Sequence, residues 1–236
     1  MATSGSSNFA PTFREVGTYA LRMIGVTPHD EDPSAEEAET ARYHANLMVK
    51  TWSADPNPRL FLLTETSLTL VASTRTYDLI TTPGARKIIE ARRRTGTGTA
   101  TNDVQLTIDS RSDYLARPNK FTEGTPLSVW FDPQRATRTL YVWPVPSTAI
   151  AASTTLRYTY LRVIEDFDSL DNDPDVPQEW IETLQYSLAA RLIAPFKVHI
   201  SDPTGAAAIM QRAAELYGQL SSYDDEGGSV FMQPAA

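Results

Sequence analysis

The apolar residues of this chain change their spacing twice. Toward both ends they recur every three to four positions, and across the middle they recur every second position. The first spacing places them on one face of an α-helix, the second on one face of a β-strand, and neither pattern serves the other conformation. A chain patterned this way is α+β, with helices from both ends and a strand-rich insertion between them. It is not an alternating βαβ chain.

The helical ends carry their own start and stop signals. Thr12-Phe-Arg-Glu15 is a capping box, whose hydroxyl and carboxylate answer free backbone N–H groups of a first turn. Phe13, Val16, Ala20 and Ile24 then mark one face, and Gly25 is placed to end the helix. Ser34-Ala-Glu-Glu37 opens a longer helix with Ala38, Ala41, Ala45, Met48 and Trp52 in a stripe, stopped by Pro56 and Pro58. After Asp175, Pro177 falls in a first turn, where its missing N–H costs nothing, and Ile181, Leu184, Leu188 and Leu192 form a core stripe. Asp202-Pro203 starts a last helix with Ala206, Ile209, Ala213, Leu216 and Leu220 on one face.

In the middle, Val104, Leu106 and Ile108 alternate with Gln105, Thr107 and Asp109, which predicts one half-buried strand. Leu127–Phe131, Leu140–Trp143 and Leu156–Tyr160 read the same way, with earlier strands at Ser67–Leu70, Arg75–Ile80 and Lys87–Arg92. Short strands broken by Gly, Pro, Asp and Asn predict an antiparallel sheet or sandwich. The expected organisation is an antiparallel helical bundle formed by residues 9–58 and 166–223, a strand-rich insertion at 59–165, and a flexible C-terminal tail at 224–236.

With 236 residues, 41% of them hydrophobic, the chain can fill a substantial core. Its formal net charge of −8 is the opposite of what a protein built to grip phosphate carries, so contact with nucleic acid is expected to be passing. The absence of cysteine excludes disulfides, Fe–S clusters, thiolate zinc sites and cysteine nucleophiles, and fits a reducing cytoplasm. No signal-peptide pattern opens the sequence, and no apolar run approaches the roughly 18 residues that span a bilayer. A soluble protein with no membrane contact is expected.

Few residues suggest chemistry. Asp171, Asp173, Asp175, Glu179 and Glu182 fall at calcium-loop positions, but Val176 stands where the loop needs a glycine, so the acids are expected to solvate the start of a helix. His29-Asp30-Glu31-Asp32 lacks metal-ligand spacing, and His44 and His199 lie far from it in sequence. No nucleophile elbow, zinc-protease motif, phosphate loop or dinucleotide fingerprint occurs, so neither enzyme activity nor a cofactor is expected. Trp130, Phe131, Tyr141, Trp143, Tyr158 and Tyr160 fit sandwich core and cross-strand pairs, with a carbohydrate groove as the alternative. Arg92-Arg93-Arg94 runs into Thr95-Gly-Thr-Gly-Thr-Ala-Thr-Asn102, which reads as a flexible hairpin tip with a basic base; the functional alternative is a protruding loop that docks on an acidic neighbour or senses passing DNA, with the three arginines as the contact residues. Past Gly227-Gly228, Val230, Phe231 and Met232 are apolar residues that invite a second partner contact.

Three blocks, in order, resemble the head-to-tail adaptors (tail accessory factors) of tailed bacteriophages. The first is Ala20-Leu-Arg-Met-Ile24-Gly-Val26, then Pro33-Ser34 and the helix ending at Trp52. The second is Gly124-Thr-Pro126 with Leu140-Tyr-Val-Trp-Pro-Val-Pro146, and the third is the strand, acidic loop and helix from Leu156 to Phe196. The resemblance runs from about Phe13 to about Tyr217 and implies a dodecameric ring beneath the portal, in the virion, assembled in the host cytoplasm. It implies the portal protein, tail or neck proteins and further copies of the chain as partners, with genomic DNA passing through without tight binding. The alternative is a carbohydrate-binding or tail-surface module.

Overall fold

A computed structural model describes residues 5–54, 60–79, 84–96, 98–135 and 137–223. The chain divides into two compact units: the described residues of Met1–Phe61 and Ile164–Ala236 form one, and those of Leu62–Val163 the other. The protein is mixed α+β, with seven α-helices and several antiparallel strand pairs among the described residues.

In the helix-rich unit, α1 (Phe13–Met23) and α2 (Ala35–Ser53) each begin at the expected capping box. At the start of α1 the Phe13 and Arg14 N–H groups also donate to the carbonyls of Asn172 and Leu170, at 2.8 and 2.7 Å. With Thr12 receiving the next two N–H groups, all four donors of that turn are satisfied. Gly25 takes φ +70° just past α1, and the Gly25 and Val26 N–H groups return to Arg22 and Leu21, closing the turn that favours glycine. Pro56 and Pro58 lie outside the described residues.

The C-terminal helices of this unit are α5 (Ile181–Leu192), α6 (Val198–Ser201) and α7 (Pro203–Tyr223). Pro177 stands one step earlier than expected, capping a 3-10 turn, Gln178–Trp180, that feeds α5. Ile181, Leu184, Leu188 and Leu192 are all buried, and α5 packs against α1, α2 and α7.

A strap from Ile164 to Asp168 runs along α2. Asn46 donates to the Phe167 carbonyl (3.1 Å) and accepts from the Phe167 N–H (2.8 Å), while Arg42 donates to the same carbonyl (2.7 Å). Lys50 donates to the Ile164 carbonyl, and Ser53 accepts the Ile164 N–H at 3.0 Å. These four α2 side chains recur at about one per turn, so one helix face reads out the strap's backbone. Ile164 and Phe167 point inward and are buried, with the Phe167 ring 4.5 Å from that of Phe13.

The strand-rich unit is a sandwich. One sheet orders β1 (Leu63–Thr69), β10 (Thr154–Leu161), β3 (Lys87–Thr95) and β4 (Asn102–Gln105). The other orders β2 (Thr76–Asp78), β8 (Arg138–Trp143), β7 (Ser128–Pro133) and β5 (Thr107–Ile108). Both inner faces meet in one core that includes Tyr77, Ile88, Leu106, Val129, Leu140, Val142, Leu156 and Tyr158. Two short helices, α3 (Arg111–Ala116) and α4 (Thr148–Ser153), and a two-stranded pair of β6 (Glu123–Gly124) with β9 (Val145–Pro146) complete it.

Two expectations change here. Pairing is not wholly antiparallel, since β5 runs parallel to β7 and β6 parallel to β9. The single strand expected over Val104–Ile108 is two strands, because the chain crosses from one sheet to the other at Leu106. Leu106 is buried, but Val104 and Ile108 are 37% and 38% exposed. Both flanks of the crossing are sheet-edge strands, where alternation alone does not secure burial.

Candidate functional site

The arginine run sits within strand β3, at the base of the hairpin that β3 forms with β4. Strand β3 continues to Thr95, so Arg92, Arg93 and Arg94 alternate across the sheet. Arg93 pairs in register with Leu156 and Val104, on the face opposite to Arg92 and Arg94. The turn proper starts at Gly96, whose φ of +89° and whose closeness to the Ala100 carbonyl leave no room for a Cβ.

On the outer face of this sheet, Arg92 and Arg94 belong to an ionic lattice. Glu65 of β1 receives Arg92 at 2.5 Å and Arg157 of β10 at 2.7 Å. Asp103 of β4 accepts from two nitrogens of Arg94, Nη2 at 2.5 Å and Nε at 2.6 Å, with Arg92 at 3.3 Å. The hydrogen bonds from Arg94 hold the Asp103 carboxyl below its ordinary range, helped by the charges of Arg94, Arg92 and Arg157. Three guanidinium groups against two carboxylates leave one positive charge, spread over four strands. Such a face can dock a polar protein surface but makes a poor phosphate grip.

The outer face of the second sheet is aromatic. Trp130 stacks on its cross-strand partner Tyr141 at 4.5 Å, and Tyr114 of α3 stacks on Trp130 at 5.0 Å. The Arg75 guanidinium lies between the rings of Phe121 and Tyr141. Beside them, Arg117 covers the face of Trp143 at 3.8 Å and donates to Asp109 at 2.6 Å and to Ser128 at 2.9 Å. The Trp143 indole N–H donates to the Asn119 carbonyl. Trp130 and Trp143 are therefore half-buried and engaged within the chain, while Tyr158 and Tyr160 lie in the core with Phe131 packed against it. The rings of Trp130, Tyr141 and Trp143 each have ring or guanidinium contacts within the chain, which leaves less of them to stack on a sugar.

Sequence reasoning missed α3 and the Asp109–Arg117–Ser128 cluster. The signal was present in Ser110-Arg-Ser-Asp113, a capping box with aspartate in the third position. That hydrogen bonding lowers the Asp113 carboxyl's pKa, Ser110 being the cause.

The acidic loop is dispersed. Asp171 pairs with Arg14 at 2.9 Å, Asp175 accepts the Glu165 N–H, and Glu182 pairs with Arg212. Among the described residues no three His, Asp or Glu side chains gather as metal ligands. His29 is exposed, His199 lies on α6, and His44 is half-buried on α2, where burial and then the charge of Arg191 lower its pKa. Val230, Phe231 and Met232 lie outside the described residues. No described helix is long and apolar enough to cross a membrane.

The family model described as "SU10 adaptor protein" matches residues 15–235. No curated protein sequence matches the chain. Among solved structures, a chain of the "Neck of empty GTA particle computed with C6 symmetry" aligns over 82% of this chain and 86% of its own. Its sequence identity is 10% and its TM-score 0.27, too slight a likeness to carry an argument.

Proposed function

From a chain that belongs to the SU10 adaptor protein family, we propose a structural head-to-tail adaptor of a tailed bacteriophage, acting in the virion and not as an enzyme. The observation that carries this is the family match over residues 15–235, nearly the whole chain. Twelve copies would form a ring beneath the portal, extend the DNA channel and give tail or neck proteins their platform. Helices from the two chain ends would form an antiparallel bundle as the ring-building body, with assembly in the host cytoplasm.

The charge supports a conduit that does not hold its cargo. Twelve copies at −8 sum to 12 × −8 = −96, and an acidic or neutral wall leaves DNA mobile. Arg92 and Arg94, already paired with acids, suit protein contact, and Arg93 is assigned with them. Val230, Phe231 and Met232 are the second contact, made once assembly begins.

Mixing the purified protein with portal rings and locating the added mass by particle reconstruction tests this. A ring of defined stoichiometry seated on the portal is expected. Failure to bind any portal would remove the adaptor reading.

A further inference from the structure

The helix-rich unit keeps a groove between α1 and α2. Its volume is about 90 Å³; Phe13, Gly17, Leu21, Ala38 and Ala41 make up its apolar part, and Arg14, Thr18 and Asp32 its polar part. Small residues leave it open, yet packing does not force them to be small. A Cβ on Gly17 would meet the Phe13 ring at 3.5 Å and the Ala41 Cβ at 3.8 Å, both ordinary contacts. The helices could have closed this space with one larger side chain.

The chain itself holds a segment suited to it. Beyond Tyr223, where α7 ends, come Asp224-Asp-Glu-Gly-Gly-Ser and then Val230-Phe231-Met232, three large apolar residues behind an acidic, glycine-rich stretch. Phe231 is eight residues past Tyr223, an extended reach of about 26–29 Å. A compact unit of this size has a radius of gyration of about 14 Å, so the segment can leave its own unit and lie on a neighbour.

We infer that the Val230-Phe231-Met232 segment of one copy docks on the α1–α2 groove of the next, one of its apolar side chains entering it. The inference rests on the ring reading above and names the receptor for its second contact. A patch on one copy and a different patch on the next form a head-to-tail contact, the kind that closes into a ring when its rotation allows.

The cysteine-free sequence makes the test direct. Full-length Ala38→Cys protein is mixed with full-length Met232→Cys protein, with and without portal rings, and oxidised. A disulfide-linked dimer at least tenfold above a control pair is expected, the control being Met232→Cys with Ala208→Cys, an exposed residue of α7 outside the groove. Thr18→Trp in the groove partner, shown folded by circular dichroism, should abolish it. No excess over control in either condition overturns the inference. An Ala38→Cys/Met232→Cys double variant that closes only within single chains overturns it too, placing the segment in its own groove. Portal co-sedimentation, read separately, reports on the adaptor function itself.

Discussion

Replacing Asn46 by alanine should destabilise the helix-rich unit by disconnecting the Ile164–Asp168 strap. Asn46 both donates to the Phe167 carbonyl (3.1 Å) and accepts the Phe167 N–H (2.8 Å). The carbonyl keeps Arg42 at 2.7 Å, so the loss falls on the N–H, which is left part-buried without its acceptor. An orphaned buried donor costs about 1–3 kcal/mol. Alanine's better helix propensity returns about 0.5 kcal/mol. The net loss is about 1–2 kcal/mol, or a Tm lower by roughly 2–8 °C for a chain of this size. Far-UV circular dichroism during thermal unfolding measures it, with Thr51→Ala as control. Thr51 is exposed, and among the described residues its hydroxyl donates only to the Leu47 carbonyl of its own helix, so its loss should stay within about 0.5 kcal/mol. If Asn46→Ala proves no more costly than Thr51→Ala, the strap is not held as argued.

Asp109→Ala should lower the denaturant midpoint of the strand-rich unit by an amount equivalent to about 2–3 kcal/mol. Asp109 is 8% exposed and serves both Arg117 and Ser128, while partial exposure of Arg117 moderates the loss below that of a fully buried pair. Because Asp103 titrates below its unfolded value, its ion pairs stabilise fully above about pH 4 and are lost as pH falls through the lower, folded value. The stability gap between wild type and Asp103→Asn should therefore be level from pH 7 to about 5 and close below about 4; a gap that persists in acid would show that charge is not its source. In filter binding, duplex DNA should be held only weakly at physiological salt. Submicromolar, steeply salt-dependent binding would reassign Arg92 and Arg94 to DNA contact.

Features that reach only three or four residues along the chain were legible without coordinates. The capping boxes at Thr12 and Ser34, the glycine after α1 and the buried stripe of α5 each depend on neighbours one turn away. Period-two alternation likewise located the core strands β7, β8 and β10, whose two neighbours per strand enforce it. Distant partners decided the rest. Arg14 meets Asp171 across 157 positions, and Phe167 meets Asn46 across 121. Arg92 finds Glu65 across β10, which pairs with both β1 and β3 in one sheet and turns an apparently free basic run into a nearly neutral lattice. Leu106 alone is buried among its alternating neighbours because the chain changes sheets there, a choice made by pairing and not by local pattern. Periodicity is a property of consecutive residues and survives in one dimension; charge compensation, edge exposure and the α1–α2 groove arise only when remote segments are brought together.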